Sequence, residues 1–163
     1  MAIAYIALGS NLQHPAQQVT HAFKAITQLP NTILLKQSSL YKTAPVGYDN
    51  QPDFINAVVM VETELAPEAM IQHLLAIEQQ FGRERPFPNA PRILDLDLLL
   101  YDTVTMQTDL LTLPHPRMQS RGFVMLPLAE IAADLILPSG ESVVELAKSF
   151  QQEDIQRIPE HTA

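Results

Sequence analysis

PRILDLDLLLY, residues 91–101, is the stretch on which the reading of this chain turns. Leu94, Leu96, Leu98 and Leu100 alternate with Asp95 and Asp97, a period of two that predicts a β-strand with one apolar face. The four leucines are expected to point together toward packed helices. The two carboxylates then share the opposite face, about 7 Å apart at Cα. Acids set among so many leucines are costly unless hydrogen bonds or cations compensate them. Magnesium takes oxygen ligands from one or two carboxylates and completes its shell with phosphates and water, so the pair suits it. The same pattern also describes a strand with its polar face in water, and the spacing alone does not choose between them.

Working outward, residues 2–8 form a short apolar run halted by Gly9, Ser10 and Asn11, which predicts a buried strand. From 15 to 29, Val19, Ala22, Phe23, Ile26 and Leu29 follow helical spacing between two prolines. Residues 32–43 and 54–64 are rich in strand formers and flank the turn-rich APVGYDNQPD. A second helix is expected from Pro67 to about Gly82, with Ile71, Leu74, Leu75 and Phe81 on its apolar stripe. The order strand, helix, strand, strand, helix, strand implies an α+β protein with a ferredoxin-like βαββαβ core: an antiparallel sheet, both helices on one face, the other face available for a site. Residues 102–163 form a C-terminal extension, with a short helical stretch expected at 127–133 and a last helix opened by a capping box, Ser142 and Glu145. No repeat or linker divides residues 1–163, so one domain is expected.

The totals narrow the function. A chain of 163 residues buries a real core without staples. The absence of cysteine excludes disulfides, zinc-thiolate sites and thiol catalysis. No basic flank or long apolar run suggests a leader or membrane span, so a cytoplasmic protein is expected. A net charge of −8 disfavours nucleic acid and anionic membrane as partners. Five of the six arginines nevertheless fall between residues 83 and 121, a concentration that suits either a small anion or a solvated loop.

Other residues stand out individually. Glu78 interrupts an apolar helical stripe and calls for a partner, for which Arg83 and Arg92 are candidates. Phe54 and Asn56 share a strand face and pair an aromatic plane with an amide, a combination suited to a flat heterocycle, although core packing is the default for Phe54. His115 lies between two prolines near Arg117 and Arg121, where phosphate contact is reasonable. The common glycine-rich nucleotide loops are absent.

GSN after the first strand, FIN at 54–56, IEQQFGRER, PRILDLDLLLY, LPHPRM and SRGFVMLPLAEI together resemble the 6-hydroxymethyl-7,8-dihydropterin pyrophosphokinases of folate biosynthesis, in order from about residue 4 to 138. The resemblance implies transfer of a pyrophosphoryl group from ATP to the pterin hydroxymethyl, with release of AMP. It makes Asp95 and Asp97 ligands of two Mg2+ ions and gives Arg83 and Arg92 to the phosphates. It puts Phe54 and Phe123 on either side of the pterin, with Thr43, Val46 and Asn56 at its edge. Leu98, Thr112, His115 and Arg121 then line the ATP site, and Glu78, which matches an important acid of the family, is grouped with them. The loops at 45–53 and 82–92 are the expected lids, and a monomer acting on small molecules is the expected form.

The sequence departs from the family at three places. The 82–92 loop is one residue shorter than in well-known members, with Asn89 where they carry a tryptophan and Phe87 as the available aromatic replacement. Leu110 stands for a basic nucleotide contact, and Pro116 for an aromatic. Two other readings use the same fold or chemistry: a small-molecule sensor, which does not need the aspartates and arginines together, and a two-metal nucleotidyl transferase or cyclase.

Overall fold

The computed structural model describes residues 1–11, 14–43, 53–82, 94–150 and 155–158. Val46, Arg83 and Arg92, with most of both expected lid loops, lie outside them. The expected strand pattern is present: β1 (Ala2–Ser10), β2 (Thr32–Gln37), β3 (Tyr41–Thr43), β4 (Phe54–Thr63) and β5 (Asp95–Tyr101). They form an antiparallel sheet in which β1 lies between β5 and β4, while β2 and β3 occupy successive stretches of the far edge of β4. Two helices cross between them, α1 (Pro15–Thr27) and α2 (Pro67–Gln80). This is the ferredoxin-like βαββαβ order.

The continuous strand expected at 32–43 is broken. Ser38 takes over the ladder by itself, its amide donating to the Val58 carbonyl at 2.9 Å and its hydroxyl accepting from the Val58 amide at 2.9 Å. A further strand, β8 (Ile155–Arg157), pairs with β3, and a small ribbon joins β6 (Met106–Gln107) to β7 (Thr112–Leu113). None of these three was visible as a strand in the sequence, being two or three residues long.

One sheet face packs on α1 and α2. Phe23, Ile26, Met70, Leu74 and Ile77 meet Ile6, Leu8, Val59, Val61, Leu94, Leu96 and Leu98 in the main core. Each such side chain contributes roughly 1.5–3 kcal/mol on burial. The α2 stripe is rotated from the expected one, with Met70, Leu74, Ile77 and Glu78 fully buried and Ile71, Leu75 and Phe81 at its margin. The chain leaves the helix through Gly82 at φ 81°, a conformation in which glycine has no side chain to strain.

The second face is not wholly open. Helices α3 (Gly122–Ile131) and α4 (Val143–Lys148) cover half of it, packing on Tyr5, Val58, Leu99 and Leu100. The first starts five residues before the expected stretch, because Pro127 lies inside it and does not open it. The second begins as expected, with the Ser142 hydroxyl accepting from the Glu145 amide.

Leu100 is the exception among Leu94, Leu96, Leu98 and Leu100, the leucines expected to face the helices. The register slips between Tyr5 and Ile6, which face Leu100 and Leu98, so Leu99 is an extra residue. A bulge of this kind turns two consecutive side chains to one face. Leu99 and Leu100 therefore both enter the core under α3 and α4, and Tyr101 returns to the main core, its hydroxyl donating to the Leu65 carbonyl at 2.8 Å.

Candidate active site

The uncovered half of the second face is polar, and sheet register assembles it. Opposed residues of antiparallel strands share a face, so Asp95, Gly9 and Asn56 form one cross-strand row running from β5 to β4, and Tyr41 of β3 continues it beneath α3, its hydroxyl donating to Glu130 at 2.8 Å. Asp97 lies opposite Ala7 in the neighbouring row, and Phe54 lies opposite Thr43 on the other side. The alternation read from the sequence thus holds where it matters. Asp95 and Asp97 are half-buried on the site face, while Leu94, Leu96 and Leu98 are buried on the other.

Asn56 is 5% exposed, and its amide nitrogen donates to the Thr43 hydroxyl at 3.0 Å. Gly9 makes room for it: a Cβ at that position would lie 2.9 Å from Asn56 Oδ1. Phe54, half-buried at the head of β4, and Phe123, in the first turn of α3, belong to the same side of the sheet. The Arg121 guanidinium stacks over the Phe123 ring, 5.5 Å from its centroid.

Beyond β5, a cleft of about 280 Å³ is lined by Asp97, Leu98, Thr112 and His115. The structure thereby gathers three of the expected nucleotide residues beside one aspartate. Ile71, Thr108, Asp109 and Leu111 complete the wall with Leu110 and Pro116, two positions already noted as departures. Ile71 was expected only on the apolar stripe of α2, and the other three went unnoticed because the β6–β7 turn that presents them is too short for a periodic signal. The bulge also anchors this wall, since the Leu99 carbonyl accepts from the His115 amide at 2.9 Å.

The His115 imidazole is held below its ordinary 6.5 by burial first, then by the guanidinium charges of Arg121 and Arg117, with Asp95 pulling the other way. Its Nδ1 accepts from the Arg117 amide at 3.2 Å, which leaves the proton of the neutral ring on Nε2.

Arg121 and Glu78 do not line the cleft. Glu78 is 2% exposed on α2, and its Oε2 accepts from the Leu96 amide at 2.7 Å. The contact visible among the described residues is thus a backbone amide of β5; the two arginines suggested as partners lie outside those residues. Among the described residues no three acids or imidazoles gather as a metal cage. A two-carboxylate site fits a hard cation whose other ligands come from substrate phosphates and water.

Residues 5–133 match the family model for 7,8-dihydro-6-hydroxymethylpterin-pyrophosphokinase (HPPK). The chain is 49% identical over 150 residues to the Haemophilus influenzae 2-amino-4-hydroxy-6-hydroxymethyldihydropteridine pyrophosphokinase, covering 92% of this chain and 94% of that protein. It is 43% identical over 155 residues to the Pseudomonas aeruginosa protein of the same name, covering 95% and 96%. A Plasmodium falciparum HPPK-DHPS structure superposes with a TM-score of 0.75 at 14% identity, over 96% of this chain and 45% of the longer one, a likeness of fold. Matching the family over most of its length, and its relatives over nearly all of it, the chain belongs to the 7,8-dihydro-6-hydroxymethylpterin-pyrophosphokinase family.

Proposed function

We propose that this chain transfers the pyrophosphoryl group of ATP to the hydroxymethyl oxygen of 6-hydroxymethyl-7,8-dihydropterin, releasing AMP and serving folate biosynthesis. The observation that carries the reading is the row from Asp95 through Gly9 to Asn56, with Asp97 in the next row, which sets two carboxylates and a buried amide on one sheet face.

In this reading Asn56 and Thr43 pair with the edge of the pterin, helped by the Val46 backbone, and the ring lies between Phe54 and Phe123. The cleft walled by Leu98, Thr112 and His115 takes the nucleotide, with Arg121 beside the phosphates. His115 supplies an Nε2–H donor without adding charge. Asp95 and Asp97 hold two Mg2+ ions, which when bound neutralise the phosphates and draw electron density from the β-phosphorus. Arg83 and Arg92 add positive charge around the transferred group.

The pterin oxygen forms a bond to the β-phosphorus as the α–β bridging bond breaks, AMP leaves, and the hydroxyl proton passes to solvent. Placing the two substrates in line and offsetting phosphate charge does most of the catalytic work in such a transfer. A single chain supplies every residue named.

The test is direct. Purified protein incubated with ATP, magnesium and the pterin alcohol is expected to release AMP in step with pterin diphosphate. ATP consumed without the pterin, or no AMP above background, would overturn the proposal. Omitting magnesium is expected to abolish the reaction.

A further inference from the structure

We infer that Glu78 is a positioning residue for the Asp95–Asp97 pair, acting through the Leu96 amide and not through the nucleotide. The inference rests on the reading of those aspartates as the magnesium-binding pair. Among the described residues β5 pairs only with β1, so alternate amides of β5 face away from the sheet. That of Leu96, the residue between the two aspartates, is met by Glu78 Oε2 at 2.7 Å. This distance is at the short end of the range for N–H···O bonds, as expected for a charged acceptor.

The surroundings make this an unusual acceptor. Glu78 is 2% exposed and Leu96 6%, and α2 packs against the leucine face of β5. A buried amide needs an acceptor, but a neutral one would satisfy it. A carboxylate holds the peptide more tightly than an amide or hydroxyl oxygen would. The Leu96 amide belongs to the peptide that joins Asp95 to Leu96, and Asp97 follows one peptide later, so holding this amide holds the strand segment that presents both carboxylates to one face. Glu78 is carried by α2, on the side of the sheet opposite their carboxylates, and its bond to this strand is to the backbone between them.

Three variants test this: Glu78→Leu, Glu78→Gln and Glu78→Asp, each checked for folding by circular dichroism. The readout besides turnover is binding of Mn2+ with a non-hydrolysable ATP analogue, followed by electron paramagnetic resonance. Glu78→Leu is expected to weaken that binding and lower kcat by about 10- to 100-fold, as losing the support behind metal ligands does, without a comparable change in the pterin KM. Glu78→Gln keeps an oxygen acceptor and is expected to recover most of the loss. If Glu78→Leu does not fold, Glu78→Asp serves: it keeps the charge on an arm one methylene shorter and is expected to weaken metal binding about tenfold.

Three results would overturn the inference. One is a folded Glu78→Leu, or a folded Glu78→Asp where that variant serves, with unchanged metal binding. Another is Glu78→Gln as impaired as Glu78→Leu, which would mean that an oxygen acceptor at the Leu96 amide is not what supports the pair. The last is equal loss of nucleotide binding with and without metal, which would make Glu78 a nucleotide contact. Failure of the pyrophosphokinase reading appears separately, as absence of AMP from the unaltered protein.

Discussion

The two ends of the polar floor are held in different ways. At the end proposed for the pterin, Asn56 lies on β4, paired to β1 on one side and β3 on the other, and it donates to Thr43 across that ladder. At the phosphate end, Asp95 and Asp97 lie on β5, which among the described residues pairs only with β1. Contacts from outside the sheet secure it: Glu78 grips the Leu96 amide, and His115 bonds the Leu99 carbonyl at the bulge. One end is fixed by sheet pairing and the other by tertiary contacts, so damage at one should leave the other working.

The largest test of that separation is Asp97→Asn. The substitution keeps size and removes charge, so turnover is expected to fall by about 100-fold or more as the metal loses a ligand. The pterin KM and the thermal midpoint should stay near those of the unaltered protein. Measuring AMP release against both substrates decides it: a pterin KM rising as much as kcat falls would merge the two ends. Phe54→Ala is the mirror experiment. Losing an aromatic platform under a heterocycle costs about 1–3 kcal/mol. Calorimetry should therefore show weaker pterin binding and unchanged binding of the ATP analogue, and a change confined to ATP would overturn the pterin assignment.

The same contrast explains what was legible in the sequence. The pairing of Asp95 with Asp97 on one face, and of Phe54 with Asn56, follows from a period of two that the sheet cannot override without a bulge. The bulge itself was hidden, because Leu98, Leu99 and Leu100 are alike and nothing marks the extra residue. Pro127 was misleading for a related reason: a proline more often opens a helix than sits in its middle, yet α3 contains it. Glu78 was recognisable as an acid in the wrong place, but its acceptor role was not. The donor is a backbone amide on another element, and amides carry no sequence signature.

A smaller effect probes the ladder end. In Gly9→Ala the new methyl meets Asn56 Oδ1 at 2.9 Å, so the buried amide must move and its bond to the Thr43 hydroxyl is disturbed. A displaced hydrogen bond of this kind is worth about 1 kcal/mol. Pterin affinity is expected to drop by roughly that amount while Mn2+–nucleotide binding holds. A loss of metal binding instead would show that the row transmits strain from Asn56 to Asp95, its next neighbour beyond Gly9.

The smallest effect lies at the other end and depends on pH. His115 in the folded protein resists protonation because of burial and of Arg121 and Arg117, whereas the unfolded chain takes its proton near 6.5. Between that value and the lower folded one, the unfolded state binds more protons, so this residue's contribution to stability falls as pH falls. His115→Gln removes the dependence. Urea denaturation at about pH 8 and about pH 5.5, either side of the ordinary histidine value, should therefore show the unaltered protein losing more stability on acidification than the variant. Equal losses would mean that the cleft leaves His115 at its ordinary pKa. The opposite sign would mean that Asp95 outweighs burial and both arginines, making the ring a charged partner of the aspartates. The phosphate end would then hold an acid–imidazole pair in place of the neutral Nε2–H donor set by Arg117.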